Sequence, residues 1–101
     1  MKIVILGAGI GGTTLALALQ RAGLDFAVLE QADAFGEIGA GVQLSSNAVK
    51  VLALLGLEDR LAEVCCEPDA HKFKDWATGE TILRTPLCPE VREAFGAPYF
   101  H

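Results

Sequence analysis

Apolar and polar positions alternate in blocks along this chain, and the first block is the most regular. Lys2-Ile3-Val4-Ile5-Leu6 is a short apolar run with the length and composition of a buried strand. A glycine-rich turn, Gly7-Ala8-Gly9-Ile10-Gly11-Gly12, follows directly. Residues 12–23 then read as a helix, with leucine and alanine on most of its sides and Gly23 placed as its C-terminal cap. That distribution predicts a helix buried against a sheet. Residues 25–30 form a second apolar run, Phe26-Ala27-Val28-Leu29, closed by Glu30, and the crossover rule sets it parallel to the first.

Further along, residues 31–41 lose periodicity, apart from a predicted helical turn near Ala32–Phe35. Gly36, Gly39 and Gly41 there mark either a loop or a close approach of backbone to a ligand. Val42-Gln43-Leu44 is a brief extended piece, and Ser45 or Ser46 can cap the apolar helix from Asn47 to Leu55, whose apolar face is core and which Gly56 stops. Glu58 to Cys66 predicts a short amphipathic helix with Leu61 and Val64 inward. After Pro68 the period shortens. His71 to Trp76 and Thr81 to Arg84 predict a hairpin around Ala77-Thr78-Gly79-Glu80, with Trp76 packed in the core or on the hairpin. Thr85 to Pro89 reads as loop, Pro89 to Phe95 as helical turns ended by Gly96, and Ala97 to His101 as the start of another extended segment. His71 and His101 read as surface residues.

Strand, glycine turn, helix, strand and acid form the dinucleotide-binding arrangement. Gly7 allows a sharp exit from the strand, Gly9 lets a pyrophosphate approach the backbone, and Gly12 lets helix and strand pack closely. The first helical amides lack internal partners and sit at the positive end of the helix dipole, so the turn favours an anion. Glu30 lies 18 residues after Gly12, near the ~20 expected for the acid that holds an adenosine ribose. A carboxylate there disfavours the 2′-phosphate of NADP.

Composition narrows the picture. The 101 residues suffice for one small domain, and half of them are apolar. A formal charge of −5 argues against nucleic acid or an anionic membrane as the main partner. No apolar run reaches the ~18 residues of a membrane span. The first strand begins at Lys2, which leaves no room for a targeting peptide, so the cytoplasm is the expected compartment. The three cysteines, Cys65, Cys66 and Cys88, include no CxxC pair; they read as reduced thiols rather than a metal site or disulfide frame. Glu58, Asp59, Glu63 and Glu67 spread along a solvated region without pairing for acid–base work. A doubly wound sheet uses five or more parallel strands, and only two are legible here. The fold class is therefore α/β: a Rossmann-like βαβ unit with additional helices, a β-hairpin and an incomplete sheet.

Three stretches resemble a known family. Ile5 to Gly12, then Leu29-Glu30-Gln31, then Ile38 to Ala48 (Ile-Gly-Ala-Gly-Val-Gln-Leu-Ser-Ser-Asn-Ala) are similar to the N-terminus of FAD-dependent aromatic hydroxylases of the salicylate and 6-hydroxynicotinate type. Asp75-Trp76, Gly79 and Ala97-Pro98-Tyr99-Phe100-His101 fit the same group. The resemblance implies that residues 1–101 are the N-terminal part of a FAD-binding domain, within an enzyme of roughly four hundred residues. It implies that NAD(P)H reduces FAD, and that the reduced flavin activates O2 to hydroxylate a small aromatic acid. It further implies that Gly7, Gly9, Gly11 and Gly12 hold the pyrophosphate, and that Glu30 binds the ribose with Gln31 beside it. Gly41, Val42 and Gln43 would approach the flavin ring. Gln43 stands where some relatives have a histidine proposed as a base, and glutamine takes up no proton at neutral pH. The family's FAD-contacting arginine and its Gly-Asp and Asp-Gly segments come after position 101, so this chain is expected to hold the ADP half of FAD and to be inactive alone. Two other readings stand beside this one. The chain could be a non-catalytic nucleotide-binding fragment completed by a second copy or another chain across an exposed parallel edge, or the start of an NAD-dependent dehydrogenase.

Overall fold

A computed structural model describes residues 2–36 and 41–101 and divides the chain into two compact units, Met1–Gly39 and Ala40–His101. In the first unit, β1 (Ile3–Leu6) leads through the glycine turn into α1 (Ile10–Arg21) and then β2 (Phe26–Leu29). β1 and β2 pair in parallel, with Ile3 opposite Phe26 and Leu6 opposite Leu29. This is the predicted βαβ unit. α1 begins earlier than its apolar pattern indicates, because the Gly9 carbonyl already accepts the Thr13 amide at 2.9 Å. It ends where expected, with Gly23 at φ +69°, a left-handed conformation that glycine adopts without steric cost.

One expectation fails here. α1 has no buried residue, and Leu15 is 47% exposed. Its apolar sides need a wide sheet to cover them, and two strands of four residues each offer too little area. The helical turn expected near Ala32–Phe35 is also absent. The Ala32 amide, which would enter such a turn, is instead taken by Glu30 Oε1 at 2.9 Å.

The second unit contains α2 (Ser46–Leu54), α3 (Glu58–Val64), a hairpin of β3 (Ala70–Lys74) and β4 (Thr81–Pro86), and α4 (Glu90–Phe95). Val49, Ala97 and Phe100 form its core, with Leu44, Leu61 and Cys65 packed against them. The extended segment expected at Ala97–His101 closes this core. Phe100 and Leu44 exchange two backbone hydrogen bonds of 2.9 Å, and His101 pairs in the same way with Cys66. Gly56 and Gly96, both at positive φ, stop α2 and α4 as predicted.

Three sequence expectations are corrected in this unit. Val64 is 77% exposed, because the face of α3 that meets the core carries Leu61 and, one turn on, Cys65. Trp76 is 95% exposed and packs in no core. β3 ends at Lys74 because the Asp75 carboxylate starts the turn, accepting the Ala77 and Thr78 amides at 2.9 and 2.8 Å. Trp76 therefore sits in the turn and not on the strand. β4 in turn runs on to Pro86, through residues that read as loop.

Candidate functional site

The C-terminal ends of β1 and β2 lie side by side, which places Gly7 next to Leu29 and Glu30. The Gly7 amide donates to the Leu29 carbonyl at 2.7 Å, and the Ala8 amide donates to Glu30 Oε2 at 2.6 Å. With Ala32 on its other oxygen, the Glu30 carboxylate is fixed at both ends and directed toward the glycine turn. These contacts hold its pKa below the ordinary value of 4.5, the Ala8 amide contributing most and the Ala32 amide next. The group is therefore an anion at neutral pH, and each oxygen keeps accepting capacity for a further hydroxyl.

The expectation that the whole turn is free for an anion needs correction: the Gly7 and Ala8 amides already have protein partners. Among the described residues, the amides of Gly9, Ile10, Gly11 and Gly12 have none. Gly7 thus contributes shape, at φ +94°, rather than a donor. A Cβ at Gly9 or Gly11 would meet nothing within 4 Å, so open space lies beside these two residues. A Cβ at Gly12 would sit 2.0 Å from the Gly7 carbonyl oxygen, which requires glycine where α1 crosses the exit of β1. These features fit the diphosphate of a dinucleotide: unpaired helix-terminal donors, open space beside Gly9 and Gly11, and an acid at the tip of the next strand. A hollow of about 500 Å3 against Leu6, Gly7, Leu29, Glu30 and Gln31 adjoins them.

Sequence reasoning did not assign Thr13 and Thr14 a part in this turn. Thr13 Oγ1 donates to the Gly9 carbonyl at 2.9 Å and Thr14 Oγ1 to the Ile10 carbonyl at 2.6 Å, fastening the first helical turn from inside. Their signal was the tendency of hydroxyl side chains to bond back one turn along a helix.

Gly41, Val42 and Gln43, the residues expected toward the flavin ring, belong to the second unit and are exposed. A Cβ at Gly41 would lie 3.3 Å from His101 Nε2, so the imidazole rests against the backbone there. Ile38, Gly39 and Ala40 of the same stretch lie outside the described residues. Among the described residues no His, Cys, Asp or Glu cluster has metal-binding geometry, and no helix is long and apolar enough to cross a membrane.

The chain is 43% identical over 100 residues to 3-amino-4-hydroxybenzoate 2-monooxygenase of Streptomyces cremeus, covering 99% of this chain and 25% of that protein. It is 38% identical over 98 residues to 6-hydroxynicotinate 3-monooxygenase of Bordetella bronchiseptica, covering 97% and 26%. The chain therefore spans about a quarter of the length of the curated relatives it matches. The crystal structure of Klebsiella pneumoniae HpxO complexed with FAD and uric acid superposes with a TM-score of 0.80 at 34% identity, over 99% of this chain and 25% of that one. The family model described as FAD binding domain matches residues 1–91, and the chain belongs to that family.

Proposed function

We propose that this chain is the N-terminal part of the FAD-binding domain of a monooxygenase that hydroxylates a small aromatic acid. The observation that carries the reading is the pairing of free amides at Gly9–Gly12 with a Glu30 carboxylate pinned toward them by Ala8. In this reading the amides of Gly9, Ile10, Gly11 and Gly12 bind the FAD pyrophosphate, and Glu30, with Gln31 beside it, accepts the adenosine ribose hydroxyls. Gly7 and Gly12 shape the turn, and Gly41, Val42 and Gln43 approach the flavin. Bound FAD supplies the redox chemistry, carrying electrons from NAD(P)H to O2. The residues of this chain bind and orient it. Gln43 can donate or accept a hydrogen bond but moves no proton at neutral pH.

Two relatives named for a hydroxybenzoate and a hydroxynicotinate support a small aromatic acid as substrate. Three free cysteines suit a reducing, cytoplasmic compartment. The exposed faces of α1 and of the two-stranded sheet suit further polypeptide, from the same protein, a second copy or another chain.

The test is purification of the full-length protein without added flavin. The expected result is a yellow protein with the FAD absorbance band, whose NAD(P)H oxidation rises when a hydroxylated aromatic acid is added. A colourless protein that binds NAD and has no affinity for FAD overturns the proposal in favour of a dehydrogenase.

A further inference from the structure

The start of α1 has no side-chain cap. Its N-cap is Gly9, which offers no group to take an amide, and no acidic residue stands in its first turn. Gly11 and Gly12 follow, and glycine is the residue least inclined to hold one backbone conformation unaided. Thr13 and Thr14 come next, two β-branched residues in a helix otherwise rich in leucine and alanine. Thr13 is exposed, so packing does not account for it. Both hydroxyls point back at the turn. The Thr13 hydroxyl donates to the Gly9 carbonyl at 2.9 Å and reaches the Ile10 carbonyl at 3.2 Å. Thr14 Oγ1 donates to the Ile10 carbonyl at 2.6 Å. Each of these carbonyls shares a rigid peptide plane with the next amide, Gly9 with Ile10 and Ile10 with Gly11.

We propose that Thr13 and Thr14 are positioning residues for the diphosphate: by fixing the Gly9 and Ile10 carbonyls, they aim the Ile10 and Gly11 amides. A capping side chain at position 9 would also order the turn, but it would occupy the Gly11 or Gly12 amide and remove a donor for the anion. The threonine hydroxyls order the turn from its carbonyl side and leave the amides free. A carbonyl that accepts a hydrogen bond also polarises its peptide group, which strengthens the N–H as a donor. Donors held in place beforehand bind an anion without the cost of ordering them. The inference rests on the reading of residues 9–12 as the FAD pyrophosphate site, and adds to it the side chains that set the geometry of the donors.

The experiment uses the full-length protein stripped of flavin. Wild type is compared with the double variant Thr13→Val, Thr14→Val, which keeps the β-branches and removes both hydroxyls, and with Thr13→Ser, Thr14→Ser, which keeps the hydroxyls. Calorimetry measures the affinity of each for ADP and for adenosine, which lacks the diphosphate. The expected result is ADP binding about tenfold weaker in the valine variant and within about twofold of wild type in the serine variant, with adenosine affinity equal in all three. In amide NMR of the ligand-free valine variant, the Ile10 and Gly11 protons should move upfield while Gly12, whose peptide carbonyl belongs to Gly11, stays in place. A role confined to helix stability would weaken ADP and adenosine alike, and that result overturns the proposal. Equal ADP affinity in wild type and the valine variant overturns it too and leaves the flavin reading intact, whereas a wild type without ADP affinity removes both.

Discussion

Among the described residues of the first unit, Ile5 is the apolar side chain that is buried, and every residue of α1 keeps contact with solvent. The second unit buries Val49, Leu87, Ala97, Pro98 and Phe100, and closes around them with paired backbone from residues 44, 66, 100 and 101. The glycine turn proposed to hold the nucleotide nevertheless belongs to the first unit. Its parts are backbone amides, glycines and a carboxylate that two other amides hold in place. Such a site depends on local geometry, which glycine conformation and short hydrogen bonds can fix without a large core. Stability and ligand binding should therefore respond to different substitutions.

The largest effect on stability belongs to Phe100→Ala. Phe100 is 2% exposed and anchors the second unit, so denaturant unfolding should show a loss of about 3–5 kcal/mol. FAD affinity of the fraction that remains folded should change little. An equal loss of affinity in that fraction would show that the two units are not separable in this way. Gly12→Ala should do the reverse. Its Cβ would sit 2.0 Å from a backbone oxygen, which cannot swing aside as a side chain can. Flavin binding by the full-length protein, read by fluorescence titration, should fall about a hundredfold. Next comes Glu30→Ala, which removes the proposed ribose acceptor and frees the Ala8 amide; FAD affinity should fall about tenfold. Unchanged flavin content would remove Glu30 from the site.

Acid supplies a finer test of the same carboxylate. Its folded pKa lies below its ordinary value of 4.5, so the stabilisation it provides is complete above that value. The contribution is lost as pH falls from 4.5 through the lower folded pKa. A carboxyl 13C titration of Glu30 should therefore give a midpoint below 4.5; a midpoint at or above it would detach Glu30 from Ala8. The smallest effect is expected at Arg92, half exposed, which reaches Glu67 at 3.4 Å and Glu58 at 3.6 Å. Arg92→Met should cost about 0.2–1 kcal/mol in thermal or denaturant unfolding.

The same contrast explains what could be read from the sequence. The first unit was legible because its signals are local. A glycine pattern, an apolar run on each side and an acid at the right spacing specify β1, the turn, β2 and Glu30, as Gly23, Gly56 and Gly96 specify three helix ends. Contacts between distant positions were not legible. Cys88 donates to Glu67 at 2.9 Å across 21 positions, and this bond, with Arg92 beside it, keeps the Glu67 carboxyl more acidic than usual. No local pattern encodes that cluster. Periodicity likewise marks which sides of α1 are apolar, but the amount of sheet available decides whether they are buried. Trp76 lies beyond the strand because the Asp75 side chain, one position earlier, already begins the turn.

The most direct measurement follows backbone amide shifts while ADP is added to the isotopically labelled protein. Gly9, Ile10, Gly11 and Gly12 should move together and saturate, while Gly7, already bound to the Leu29 carbonyl, moves least. Saturable binding that leaves those four amides in place, or that acts only on residues of the second unit, would contradict the account.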